Sequence, residues 1–237
     1  MPFPLELFPV PAYDVHTHEP YEESFAHDIA LMKNALLRAA NAIHARAPAV
    51  KKDEVADFVA YVQIFITVLR LSQAAEQQHI WPRLSPYIPI QPSEEERSEL
   101  EDRADGFDNP LADAREDTAL YDGAAICAVL ESMGDELRAQ MLQWIESVSP
   151  EQLEKCKLKS GELKELVIQD VVFIAQTMGN YFPLYLPWLT AHADKRVNAY
   201  WPPIPDHDKE ILEEFVNERK GVWKFAPFHP VTGEPQN

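Results

Sequence analysis

Between Phe58 and Leu84 the chain reads FVAYVQIFITVLRLSQAAEQQHIWPRL, and this stretch limits the possible folds more than any other. Phe58, Val62, Phe65 and Leu69 recur at steps of four, three and four, which places them on one face of an α-helix. The same stripe runs on to Ser72, Glu76 and His79. A helix that is apolar over its first turns packs into a core. An acid further along that face must then be paired, hydrogen-bonded, protonated or metal-bound, because a bare charge in an apolar interior costs several kcal/mol.

The rest of the chain agrees with a helical fold. It has 237 residues, enough for one well-filled core, and only 7 glycines. Ala, Leu, Glu and Gln dominate the long periodic stretches, and no long alternating segment argues for a sheet, so the fold class is all-α. A net charge of −18 argues against nucleic acid or an anionic membrane as partner. Cys127 and Cys156 lie far apart without metal-finger spacing and read as free thiols in a reducing compartment. The start, MPFPLELFPVPAYD, lacks a signal peptide's basic and apolar regions, and no window approaches a membrane span, so the expected location is the cytoplasm. The oligomeric state is open.

Taken in order, residues 1–20 are a proline-rich extended arm, in which His16, His18 and Glu19 are either metal donors or a solvated tip. Residues 21–195 carry the main helical body, and residues 196–237 a surface helix and tail that pack back through Trp223, Phe225 and Phe228. The first helix is expected over Tyr21–Arg46, with Phe25, Ile29, Met32, Leu36, Ala39 and Ile43 as its core stripe and Lys33 and His44 beside it. Asp53 is the expected N-cap of the second helix, which ends at Pro82. Ser93 and Glu96 form a capping box for a short acidic helix over residues 94–104. A third long helix is expected over Leu111–Val148, with Leu120, Cys127, Leu130, Leu137, Met141 and Trp144 in the core. Ala124 and Ala128 would leave room beside Asp117 and Tyr121, and Gly123 and Gly134 would mark close packing. Ser149-Pro150 starts a short helix, and Ser160-Gly161 opens a fourth long one with Leu163, Leu166, Val167, Asp170, Ile174, Thr177 and Tyr181 inward. Pro183 and Pro187 bend or break it.

Four stretches, FAHDIALMKNALLRAANAIHARAPAV, DFVAYVQIFITVLRLSQAAEQQHIWPRL, REDTALYDGAAICAVLESM and TMGNYFPLYLPWLTA, resemble the successive helices of the fungal-type hemerythrin-like, HHE cation-binding proteins. The resemblance covers residues 25–195 and implies an antiparallel four-helix bundle holding two irons through histidines and carboxylates. The positions that match the family's ligands carry Lys33, Ser72, Glu76, Asp117, Tyr121 and Asn180, with His27 as a substitute on the first helix. A lysine repels a metal cation, so a standard diiron centre is not expected.

Polar residues retained where leucine would fill a disused cavity leave three readings: a structural ion-pair network, a metal-free acid/base site, and a reorganised metal site for iron or another divalent ion built from Glu76, His79, Asp117 and His27. The leading expectation is a cofactor-free enzyme acting on a hydrophobic small molecule of the kind made in fungal secondary metabolism, by cyclisation, isomerisation or dehydration. Glu76 and Asp117 serve as acid and base, and Tyr121 and Lys33 stabilise an oxyanion. Ser72 and Asn180 orient the substrate, and Phe65, Tyr181, Phe182, Tyr185 and Trp188 supply an apolar wall. The competing expectations are a metal- or oxygen-binding relative with altered ligands, and a non-catalytic binding protein.

Overall fold

The computed structural model describes residues 3–11, 21–89, 92–178, 182–202, 204 and 206–236. The fold is all-α, and no strand occurs among the described residues. The long helices are α1 (Tyr21–Arg46), α2 (Val55–Ala75), α6 (Gly123–Ser147) and α8 (Ser160–Met178). Shorter ones are α3 (Trp81–Leu84), α4 (Glu94–Ala104), α5 (Asp108–Glu116), α7 (Pro150–Leu153), α9 (Phe182–Ala191), α10 (Asp206–Glu218) and α11 (Lys220–Trp223). Helix α1 packs on α2, α6 and α8, α2 also packs on α8, and α4 lies along α6.

The amphipathic stripes predicted for α1 and α2 face this core. Phe58, Val62, Phe65, Leu69, Ser72 and Glu76 are all buried, as are Phe25, Ile29, Leu36, Ala39 and Ile43, while Met32 is half-buried. Helix α2 does not stop at Ala75: a π-helical turn, Glu76–Ile80, carries it into α3. Pro82 has no N–H to donate and its ring crowds the preceding turn, and a widened turn just before it relieves that crowding. The helical run Lys52–Leu84 is, by length and composition alone, apolar enough to cross a membrane, contrary to the expectation from sequence. Most of its apolar window is buried inside the protein, as suits a core helix.

The long third helix divides in two. Asp117 is extended, and its carboxylate accepts from the Ala119 N–H at 2.8 Å. Asp122 then caps α6 by accepting from Ala124 and Ala125. Two aspartates that each satisfy local backbone donors end one helix and start the next. Leu120 is consequently exposed, as are Ala124 and Ala128, which do not flank a polar pair. Cys127, Leu130, Leu137, Met141 and Trp144 do enter the core. Gly123 sits against the α1 terminus so closely that an added Cβ would lie 2.2 Å from the Ala47 carbonyl oxygen, which is why this helix start needs glycine. Gly134 lies under Phe3 and Leu5 of the arm.

Helix α4 has the expected capping box between Ser93 and Glu96. Asp53 is no cap: it lies in a 3-10 turn, Lys52–Glu54, and α2 begins without a side-chain cap. On α8, Leu163, Leu166 and Ile174 are buried but Thr177 is exposed. The arm is fastened along α1: Asn34 and Asn41 each bond the backbone N–H and C=O of Phe8 and Leu5, whose side chains are buried. Trp223, Phe225 and Phe228 are buried from the other end of the chain, and both cysteines are buried and free.

Candidate functional site

Among the described residues, the carboxyl groups whose pKa is raised lie in two regions. The first is the meeting point of α1, α2 and α8. Lys33 Nζ donates to Glu76 Oε1 at 2.5 Å, and both side chains are about 5% exposed. Lys33 therefore points inward although it stands one residue off the apolar stripe of α1. Its long stem carries the ammonium to the only acid on the facing helix stripe. Burial raises the Glu76 pKa, opposed by the Lys33 charge and hydrogen bond and, more weakly, by the Trp144 indole, which makes no well-aligned bond.

Asp170 of α8 joins this pair. Its pKa is pushed up to about 8, first by burial and then by the Glu76 charge, with Lys33 opposing. At neutral pH Asp170 mostly holds its proton and adds no second negative charge beside Glu76. That state makes burial of three ionisable groups tolerable. One oxygen of Asp170 and Nε2 of His79 are buried without a hydrogen-bond partner. His79 rests edge-on against Phe173 at 5.1 Å, and Tyr185 lies close enough to Asp170 for the carboxyl to raise its pKa further after burial has done so.

There is almost no free space here. A cavity of about 20 Å³ lies beside Lys33 and Glu76, under α4, lined also by Trp81, Arg97, Gln140 and Trp144. The Arg97 guanidinium covers the Trp81 ring at 4.2 Å and forms part of the cavity wall. Such a volume admits one water-sized molecule and no organic substrate.

The other expected members are elsewhere. Asp117 is exposed and spends its carboxylate on the Ala119 N–H. Tyr121 donates its hydroxyl to the Ala47 carbonyl at 2.7 Å, beside the far end of α1, and burial raises its pKa. Neither acts with Glu76, because the break between α5 and α6 leaves Asp117 exposed and sets Tyr121 against Phe58 and the Ala47 carbonyl. Ser72 and Phe65 are buried in the α2 stripe, and Trp188 is fully buried. Asn180 and Tyr181 lie outside the described residues, as do His16, His18 and Glu19, and of Phe182 only the backbone is described.

The residues present do not fit a two-iron centre. The Lys33 ammonium already occupies the Glu76 carboxylate, and among the described residues no three His, Cys, Asp or Glu side chains gather to hold a metal. His27 is committed as well. Its Nδ1–H donates to the Pro11 carbonyl at 2.7 Å, which leaves Nε2 to accept from Asn198 Nδ2 at 2.6 Å.

That bond leads to the second region, a pocket of about 880 Å³ between α1, the end of α9, the loop from Lys195 to Pro202 and α10. Asn198 Oδ1 accepts from the backbone N–H groups of Tyr200 and Trp201, so one amide ties α1 to the loop that forms the pocket wall. Apolar wall comes from Trp201, Pro202, Ile204 and Leu212, and polar groups from Ser24, Asp28, Thr190 and Lys195. Asp28 has its pKa raised to about 7 by burial alone. Lys195 donates to the Trp201 carbonyl at 2.7 Å and is lowered by burial and then by Lys209. A large, partly apolar pocket with a carboxyl poised to exchange its proton at neutral pH is the general form of a small-molecule site.

Comparison with known protein families, curated proteins and solved structures gives no match. The chemistry of the pocket itself is the guide to what it does.

Two acids matter more in the fold than their sequence signals suggest. Asp170 falls in step with Leu163, Leu166 and Ile174, the same signal that marks Glu76. Asp28, next to Ile29, has a weaker signal, since its pocket walls include Thr190, Trp201, Leu212 and Val231, far away in sequence. His192 has none. It is fully buried between Tyr61, whose hydroxyl donates to its Nε2 at 2.7 Å, and the Trp188 carbonyl, and burial lowers its pKa to about 3. It is a neutral packing element.

Proposed function

We propose that the protein is a metal-independent enzyme that moves a proton on a hydrophobic small molecule, and that the reaction takes place in the Asp28 pocket. The reading is supported above all by a carboxyl with a pKa of about 7 in the wall of a pocket large enough for an organic substrate. As carboxylate, Asp28 removes a proton from carbon and returns it either to a second atom of the substrate skeleton, in an isomerisation or a proton-assisted cyclisation, or to a hydroxyl that leaves as water while the C–H electron pair forms the new double bond, in a dehydration. Lys195 supplies positive charge for the oxyanion that develops meanwhile. Trp201, Ile204 and Leu212 hold the apolar body of the substrate.

In this proposal the four long helices form an antiparallel hemerythrin-like bundle whose metal cavity has been replaced by Lys33, Glu76 and Asp170. The contacts of α1 with α2, α6 and α8, and the convergence of Lys33 and Glu76 from the positions that match family ligands, support it. The core then supplies stability, and the pocket supplies chemistry.

The test is a thermal-shift screen of hydrophobic small molecules, followed by mass spectrometry of the ligands after incubation between pH 5 and 9. Conversion should climb with a midpoint near pH 7 and be lost in Asp28→Asn, while Asp170→Asn converts normally. Conversion by Asp28→Asn at the normal rate would overturn the site, and tight binding without any conversion would leave a binding protein.

A further inference from the structure

A third region, remote in sequence from Asp28, gathers positive charge on a strongly acidic chain. Arg70 from α2, Arg115 from α5 and Arg219, in the link between α10 and α11, line one pocket of about 460 Å³. Its floor is apolar, made by Ala60, Ile64, Ile66, Leu111 and Leu184. Among the described residues, the one acid in its wall is Asp108. Asp105, outside the pocket, already pairs with Arg70.

The three guanidinium groups differ in what they have left to give. Arg70 uses Nη2 on Asp105, and its Nε–H is buried without a partner. Arg115 donates Nε to the Leu111 carbonyl at 3.2 Å, and the Gln63 side-chain oxygen, correctly oriented, accepts from its Nη1 at 2.9 Å. These bonds hold the Arg115 fork beside the pocket. Arg219 has no side-chain hydrogen bond or ion pair among the described residues. A chain with 39 acids and 21 basic residues has abundant carboxylates with which to pair an arginine. Here it leaves one free and another with an unused donor, around a hole of small-ligand size.

We propose that this pocket binds an organic carboxylate with an apolar body. The carboxylate lies between Arg219 and Arg115, and the apolar part lies on Ile64, Leu111 and Leu184. The planar guanidinium fork matches a carboxylate with two parallel hydrogen bonds, and the floor repels a bare, hydrated inorganic anion. The site is separate from Asp28, because the two pockets share no lining residue. It offers the protein a second ligand, a regulator that binds apart from the Asp28 pocket.

Titration calorimetry of the full chain with decanoate and naphthalene-2-carboxylate tests this, with decanol and 2-naphthalenemethanol as neutral partners. The carboxylates should bind at least about tenfold tighter than the alcohols, and weaken as salt is raised. Arg219→Gln, at an exposed position without partners among the described residues, keeps the fold and should weaken carboxylate binding about tenfold. Arg115→Gln should do the same, and Asp28→Asn should leave carboxylate affinity at the arginine pocket unchanged. Equal affinity for acid and alcohol, unchanged affinity in both arginine variants, or loss of binding in Asp28→Asn would each overturn the assignment.

Discussion

The core around Glu76 and the pocket around Asp28 begin from the same physical event, a helical carboxyl largely taken out of water. The two sites resolve it differently. In the core, Lys33 reaches Glu76 at 2.5 Å, Asp170 stays protonated beside them, and about 20 Å³ of space remains. In the pocket, burial alone raises Asp28 to about 7, and about 880 Å³ opens in front of it. A desolvated acid with its partner already in place is a structural element, while one with room beside it is able to exchange a proton with a guest. Burial alone does not distinguish the two, and the surrounding volume does.

The sharpest way to break this contrast is to remove Lys33. Lys33→Met leaves Glu76 buried and unpaired and should cost about 3–5 kcal/mol in urea unfolding at pH 7. The double variant Lys33→Met with Glu76→Leu should recover most of that loss. A single variant costing under about 1 kcal/mol would show that the core is wetter and more open than a closed ion pair allows.

A second effect comes from Asp170. Its pKa is 3.8 when unfolded and about 8 when folded, so the folded state keeps a proton that the unfolded state releases. The stability from this group is complete below pH 3.8 and declines as pH rises towards 8. Asp170→Asn removes that slope. It should leave the protein more stable than wild type by a few kcal/mol at pH 8, with a much smaller difference at pH 4, as followed by denaturant unfolding at both pH values. Parallel slopes for the two proteins would contradict a proton-holding Asp170.

The pocket side predicts a smaller stability effect with a functional readout. Asn198→Ala removes the bonds to His27 and to the Tyr200 and Trp201 N–H groups. It should cost about 1–2 kcal/mol in stability and weaken any ligand of the Asp28 pocket, leaving carboxylate binding at Arg219 unchanged. The smallest expected effect is of metal: zinc or ferrous iron, added anaerobically, should shift the melting temperature by less than a degree or so. A rise of several degrees would return His79 and Glu76 to the role of ligands.

Much of the fold was legible in sequence because it depends on local periodicity. The stripes of α1 and α2, the capping box at Ser93 and the close-packing glycines Gly123 and Gly134 all follow from side-chain spacing and backbone limits, whereas the end expected at Pro82 is instead a π-turn that carries the helix past it to Leu84. Where a local signal competed with the period, the period misled. Asp117 and Asp122 are cap-forming residues, and their caps broke the expected third helix, left Asp117 exposed and tied Tyr121 to the Ala47 carbonyl instead of to Glu76.

By itself, the sequence determined that the chain is helical, that Glu76 must lie in the core, and that its charge there needs an answer. Only the tertiary structure decided what the answer is. Whether Lys33 points in or out depends on which helix faces it, and a flexible four-carbon stem obeys that neighbour and not its own place in the stripe. In the same way, Asp28 lines a pocket only because Thr190, Trp201, Leu212 and Val231 come together over α1 and enclose a volume there. Periodicity is a property of one helix, whereas a pocket is a property of the gap left between several.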